Sequence, residues 1–154
     1  MMNRKILVLL FFILVNTGNT LLADDNNRVT VLTQTACQFL ESENGIDRGY
    51  QSSQKSDCEA INAQSAEKRL REAKPLRLKA GEHIFRVTNK NVTYPLGFWL
   101  RGDGIINRAR LPSVSGGGMT LGRTIDYKID LEPGEYVYSC PLNTTPDYKL
   151  IVSE

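Results

Sequence analysis

Gly134-Glu-Tyr-Val-Tyr-Ser-Cys-Pro-Leu-Asn-Thr-Thr-Pro-Asp-Tyr-Lys-Leu-Ile-Val152 reads as strand, tight loop, strand. Tyr136, Tyr138 and Cys140 alternate onto one face of the first strand, and Leu150 and Val152 share a face of the second. This pairing places a thiol at the mouth of a β core.

The chain upstream carries the same texture back to Pro75. Short alternating runs cover Leu76–Lys79, His83–Asn89, Leu96–Arg101, Arg108–Leu111, Thr124–Leu131, Tyr136–Cys140 and Tyr148–Val152. They are broken by Ala-Gly, Asn-Lys-Asn, Gly-Asp-Gly, Ser-Gly-Gly-Gly and Glu-Pro-Gly, the spacing of a sandwich or barrel. Ser115-Gly-Gly-Gly-Met-Thr120 lacks the Gly-Lys-Ser/Thr ending of a phosphate loop and reads as a flexible connection. Before Pro75, Arg28–Thr33 has the β-branched alternation of a first strand. Ser56-Asp-Cys-Glu59 matches a capping box, predicting a helix from Asp57 to Lys74 that Pro75 stops. Ala60, Ile61, Ala63, Ala66, Leu70 and Ala73 give that helix a narrow apolar stripe to lay on a sheet. The expectation is about eight strands and one helix.

Residues 1–23 have the build of a secretory leader: Arg4 and Lys5, an apolar run from Ile6 to Val15, then Leu-Leu-Ala before two aspartates. The run is too short to span a bilayer. Of the 19 basic and 17 acidic residues, the leader takes two bases, Arg4 and Lys5, and leaves a balanced remainder. Such a chain has no long basic block for nucleic acid or an anionic membrane as its main partner. Residues 24–75 and 76–154 are expected to form one domain, periplasmic or secreted. An exported chain with three cysteines has one to spare. Cys37 and Cys58 flank the polar stretch Glu41–Tyr50 and form the expected disulfide, worth roughly 3 kcal/mol, while a pairing through Cys140 stays open.

Lys79-Ala-Gly-Glu, Phe85-Arg-Val-Thr-Asn89, Asn91-Val-Thr-Tyr94, Leu131-Glu-Pro-Gly-Glu-Tyr and Tyr138-Ser-Cys-Pro, in that order, resemble the cupredoxin family of plastocyanin-like blue copper proteins. The resemblance covers Leu76–Val152 and implies an all-β, Greek-key β-sandwich, here with one inserted helix and a disulfide-closed loop near the N-terminus. It also implies copper held by a thiolate, two imidazoles and a weak axial sulfur. Set against that pattern, Cys140 matches the cysteine, whereas Tyr94 and Asn143 stand at the histidine positions and no Met follows Cys140. The one histidine, His83, shares the parity of Phe85 and Val87 and reads as a strand-end side chain.

Three functions remain open on these residues. The first is a binding or accessory module without type 1 copper, touching a protein partner, of respiratory or copper-handling kind, through Tyr94, Phe98, Trp99, Leu142 and Tyr148. The second is a divergent copper protein, carrying electrons or Cu(I), with Cys140, Met119, Asn143 or Tyr94 as ligands. The third, an enzyme with Cys140 as nucleophile, lacks a base and is not expected. Asn91-Val-Thr93 and Asn143-Thr-Thr145 fit the N-glycosylation rule, relevant only in a eukaryotic host.

Overall fold

Alternation along β4 (Gly81–Asn89) buries His83, Phe85, Val87 and Asn89 and exposes Glu82 and Arg86, so one face of the strand is a core face. A computed structural model describes residues 28–154 of the chain; the expected leader lies outside them. Eight further strands accompany β4: β1 (Val29–Thr35), β2 (Gln38–Phe39), β3 (Leu76–Lys79), β5 (Leu96–Gly102), β6 (Val114–Met119), β7 (Thr124–Leu131), β8 (Gly134–Ser139) and β9 (Tyr148–Ser153). One sheet runs β2-β1-β4-β7 and the other β3-β9-β8-β5-β6. β1 and β4 pair in parallel, as do β3 and β9; the remaining pairs are antiparallel. The chain crosses between sheets after β2, β3, β4, β6 and β7, which makes the sandwich a Greek key rather than a stack of hairpins. The all-β sandwich with a helix and disulfide-closed loop before β3 is therefore the fold expected.

Between the sheets lies an aromatic core. Phe39 of β2 meets Phe98, Tyr138 and Tyr148 edge-on, with ring centroids 6.2, 5.7 and 5.9 Å apart, a geometry the ring quadrupoles favour. A two-residue strand thus anchors one sheet to the other.

Three local expectations change. The run Arg108–Leu111 is not a strand: α2 spans Gly104–Arg110, and Leu111, whose N–H bonds the Asn107 carbonyl at 2.8 Å, is its buried C-cap. That helix sits directly on β5, where a Cβ at Gly102 would overlap the Asn107 carbonyl and come within 2.7 Å of Arg108 N. The Ser115–Thr120 segment is not a free connection but most of β6, an edge strand on β5. Gly116 serves contact, because a Cβ there would fall 2.8 Å from the Tyr127 ring, and Gly118 serves a backbone with φ of +76°. The long helix α1 spans Lys55–Glu72, starting two residues earlier than the Ser56 capping box predicts. Asp57 decides that start, because its carboxylate accepts from Ser53 N, Ser53 Oγ and Gln54 N at 2.7, 2.9 and 3.2 Å.

The buried face of α1 also differs. Ala60, Ala63 and Leu70 are exposed, Ala66 is half-buried, and only Ile61 and Ala73 of the predicted stripe pack on the core. Cys58, Asn62, Ser65 and Arg69, spaced four, three and four apart, face inward instead. Arg69 is 1% exposed and bonds Glu43 Oε1 through Nε at 2.9 Å and Nη2 at 2.7 Å. The same Nη2 reaches the Cys37 carbonyl at 2.7 Å, while Nη1 reaches Asn62 Oδ1 at 2.6 Å. Tyr148 and Arg48 complete the shell around the Glu43 carboxylate.

Two measurements follow from that cluster. Arg69→Met leaves Glu43 buried without its main partner and is expected to lower the unfolding free energy by about 3–5 kcal/mol, read as the shift in denaturant midpoint. Burial alone would raise the Glu43 carboxyl, but the hydrogen bonds from Arg69, Tyr148 and Arg48 outweigh it and hold the group below its ordinary value of 4.5. A depressed carboxylate contributes stability that is complete above its unfolded pKa and lost as pH falls through the folded one. Melting temperature should therefore drop on acidification below about pH 4.5, and Glu43→Gln should flatten that limb; an unchanged limb contradicts the assignment.

Candidate functional site

β8 ends at Ser139 and delivers Cys140 into the loop before β9. Cys140 N–H donates to Thr145 Oγ1 at 2.9 Å, and Thr145 N–H returns to the Cys140 carbonyl at 3.2 Å, so the loop closes on itself. The thiol is fully buried and free. Its Sγ accepts the backbone N–H of Gly97 at 3.3 Å and of Asn143 at 3.2 Å. Burial pushes the thiol pKa up, and the amide donors from Gly97, Asn143 and Leu142 only partly offset it. Cys140 is thus a protonated thiol at neutral pH, and no side-chain base among the described residues hydrogen-bonds it.

Asn143, 0% exposed, fills the space beside that sulfur. Its Oδ1 accepts from Cys37 N–H at 2.9 Å and from Tyr94 Oη–H at 3.2 Å, and its Nδ2 donates to the Thr35 carbonyl at 2.7 Å. The Cys58 sulfur of the Cys37–Cys58 disulfide lies 3.3 Å from the same Oδ1. Tyr94 also bonds Ser52 Oγ at 3.0 Å, and burial raises its phenol. The amide is therefore a plug that ties the Cys140 loop to the β1–β2 turn and the loop before α1. An amide with both ends engaged holds position well and has no lone pair to spare for a cation without breaking a bond.

Met119, fully buried at the end of β6, is clamped through its backbone: Asn89 Nδ2 donates to the Met119 and Val92 carbonyls at 3.1 and 2.9 Å. Gln34 of β1 donates to the Gly97 carbonyl at 2.8 Å, behind the thiol. Its Oε1, with Thr35 Oγ1 and Thr144 Oγ1, is buried without a partner among the described residues. Gln34 and Thr35 were not legible as site residues, although a Gln at the inward parity of Leu32 is a polar residue in a core position.

Of the candidate metal ligands, Tyr94, Cys140 and Asn143 come together in one hydrogen-bonded chain, and Met119 is held at the end of the strand beside Gly97. The two-imidazole set of type 1 copper does not fit here. His83 lies six residues from Asn89 along β4, bonds Thr30 Oγ1 at 3.0 Å, and is kept neutral near pH 7 by burial and by Arg28. Two of the expected partner contacts are corrected: Phe98 and Tyr148 are 1% and 2% exposed and belong to the core. Tyr94 and Trp99 are half-buried and Leu142 is exposed. Trp99 carries the Arg101 guanidinium 3.9 Å above its ring, and Arg101 in turn pairs with Asp147 at 2.7 Å. Asn91 is open to solvent, whereas Asn143 is not.

No protein-family model and no curated protein matches the chain. Among solved structures it is similar to a multi-copper oxidase from Pediococcus acidilactici, at 14% identity and a TM-score of 0.41 over 85% of this chain and 27% of that one. A laccase from Pediococcus acidilactici gives 13% identity and 0.42 over 85% of this chain and 28% of that one. The chain spans little more than a quarter of the length of either.

Proposed function

We propose that this chain is an exported, cupredoxin-like binding module whose ligand end has been rebuilt as a hydrogen-bonded plug. The observation that carries this reading is Asn143: a fully buried amide, bonded to Thr35, Cys37 and Tyr94, stands where the resemblance calls for an imidazole. A buried amide with three good partners stabilises a loop, while one stripped of them costs about 1–3 kcal/mol, so the position favours rigidity over exchange of ligands. The Cys37–Cys58 bridge supports an oxidising compartment. Among the described residues no helix is long and apolar enough to cross a membrane. The surface offered to a protein partner at this end is Tyr94 and Leu142, with Trp99 farther along β5; aromatic and apolar side chains set among polar ones suit such a contact.

Titration of the purified protein with Cu(II), and with Cu(I) under anaerobic conditions, tests the reading. The expected result is no strong thiolate-to-copper band and no rise in melting temperature. A band or a rise that Cys140→Ser abolishes would overturn it in favour of a copper protein built on Cys140 with Met119, Asn143 or Tyr94. Alkylation separates the module from an enzyme: Cys140 should react slowly in the native protein at neutral pH and rapidly in denaturant, because its thiol is buried and protonated. Fast native labelling would restore the nucleophile.

A further inference from the structure

The largest unexplained apolar exposure lies at the opposite pole from Cys140. β5 begins beside the thiol, where Gly97 N–H meets Sγ, and ends at Gly102 under α2, roughly 17 Å away at strand rise. On α2, Ile105 and Ile106 are 90% and 80% exposed. They are firmly presented, because the helix backbone rests on Gly102 and Asp103 N–H bonds the Glu135 carbonyl at 2.9 Å. One turn on stand Arg108 and Arg110, both exposed and in no ion pair with the described residues. The neighbouring charges are largely matched: Asp147 pairs with Arg101, and Asp103 lies 3.9 Å from Lys149. The acids that remain are Glu135 on the adjoining strand and Glu132 just before it, which acts on Tyr136 together with Arg110.

We infer that α2 is a membrane-surface contact, with Ile105 and Ile106 entering the acyl boundary and Arg108 and Arg110 resting among anionic phospholipid headgroups. Three physical points select this occupant. Successive helical side chains diverge by about 100°, so Ile105 and Ile106 do not form the i, i+3, i+4 stripe that a protein groove reads. A fluid apolar phase accepts both. Two isoleucines per copy also fall well short of the roughly 1,000 Å² that a specific protein interface needs, which disfavours a second copy of the chain. Arg108, 5.8 Å over the Trp99 ring, and Arg110, neither of them ion-paired among the described residues, complement anionic headgroups. Bound this way, the molecule would hold its Cys140 end away from the bilayer, facing solvent.

Flotation of the exported protein with vesicles of phosphatidylglycerol and phosphatidylcholine, against vesicles of phosphatidylcholine alone, tests this. The parent should bind the anionic vesicles, Ile105→Asp/Ile106→Asp should reduce binding at least tenfold, and Arg108→Ala/Arg110→Ala should remove most of the preference for anionic lipid. Ile105→Leu/Ile106→Leu should retain binding, and equal melting temperatures should show that the variants fold. Failure of the parent to bind, or equal binding by the aspartate variant, overturns the proposal, as does binding without preference for phosphatidylglycerol. A parent that ignores vesicles but self-associates until the aspartates are introduced also overturns it and assigns the patch to a second copy. Copper titration is independent of these readouts.

Discussion

Burying an arginine and a glutamate together costs several kcal/mol of desolvation per ion unless every donor and lone pair is met. Arg69 and Glu43 meet that condition by drawing on five residues from four pieces of chain: Cys37 in the β1–β2 turn, Arg48 in the following loop, Asn62 and Ser65 on α1, and Tyr148 on β9. The inserted helix is polar on its inner face because its task is to complete this cluster rather than to supply apolar area. Beyond this cluster α1 is held by the Cys37–Cys58 bridge and by Ile61 and Ala73 against the core, while its exposed alanines and Leu70 contribute nothing there.

The β1–β2 turn carries that constraint to the candidate site. Cys37 has a φ of +64°, in the left-handed region that a side chain with a Cβ seldom enters. Three bonds hold it there: its carbonyl to Arg69, its N–H to Asn143 and its sulfur to Cys58. Strain of this kind persists only where the surroundings over-determine it. The ion pair, the disulfide and the Asn143 plug are therefore one mechanical unit, and the Cys140 loop inherits its rigidity from residues a hundred positions upstream.

Strand alternation made most of the sandwich legible from sequence: β1, β3, β4, β5, β7, β8 and β9 fall within two residues of their expected bounds. The failures have local physical causes. Arg108–Leu111 alternates like a strand but forms the last turn and cap of α2, and Ser115–Met119 looks like a linker because Gly116 packs against Tyr127 and Gly118 takes a positive φ. The α1 stripe misled because apolar periodicity is blind to a buried ion pair. The Cys37–Cys58 pairing could be read from the sequence, and the fold brings Tyr94, Cys140 and Asn143 together. Their hydrogen bonds to Thr35, Cys37 and Ser52 join residues 42 to 108 positions apart, and no local pattern encodes them. A net charge of only +2 over the whole chain likewise hid the uneven distribution around α2.

Asn143 restricts where such a chain can be made. Asn143-Thr144-Thr145 satisfies the acceptor rule for N-linked glycans, and transfer of a glycan occurs on the chain before it folds. A sugar on this amide would remove the donor to Thr35 and demand room where the side chain is 0% exposed. Each molecule so modified would lose the plug and with it the support for the left-handed turn at Cys37. Asn91, on an open turn, could carry the same glycan at no cost to the fold. A secretory route without oligosaccharide transfer leaves this sequence intact, whereas one with it would act on a structural residue as though it were a surface one.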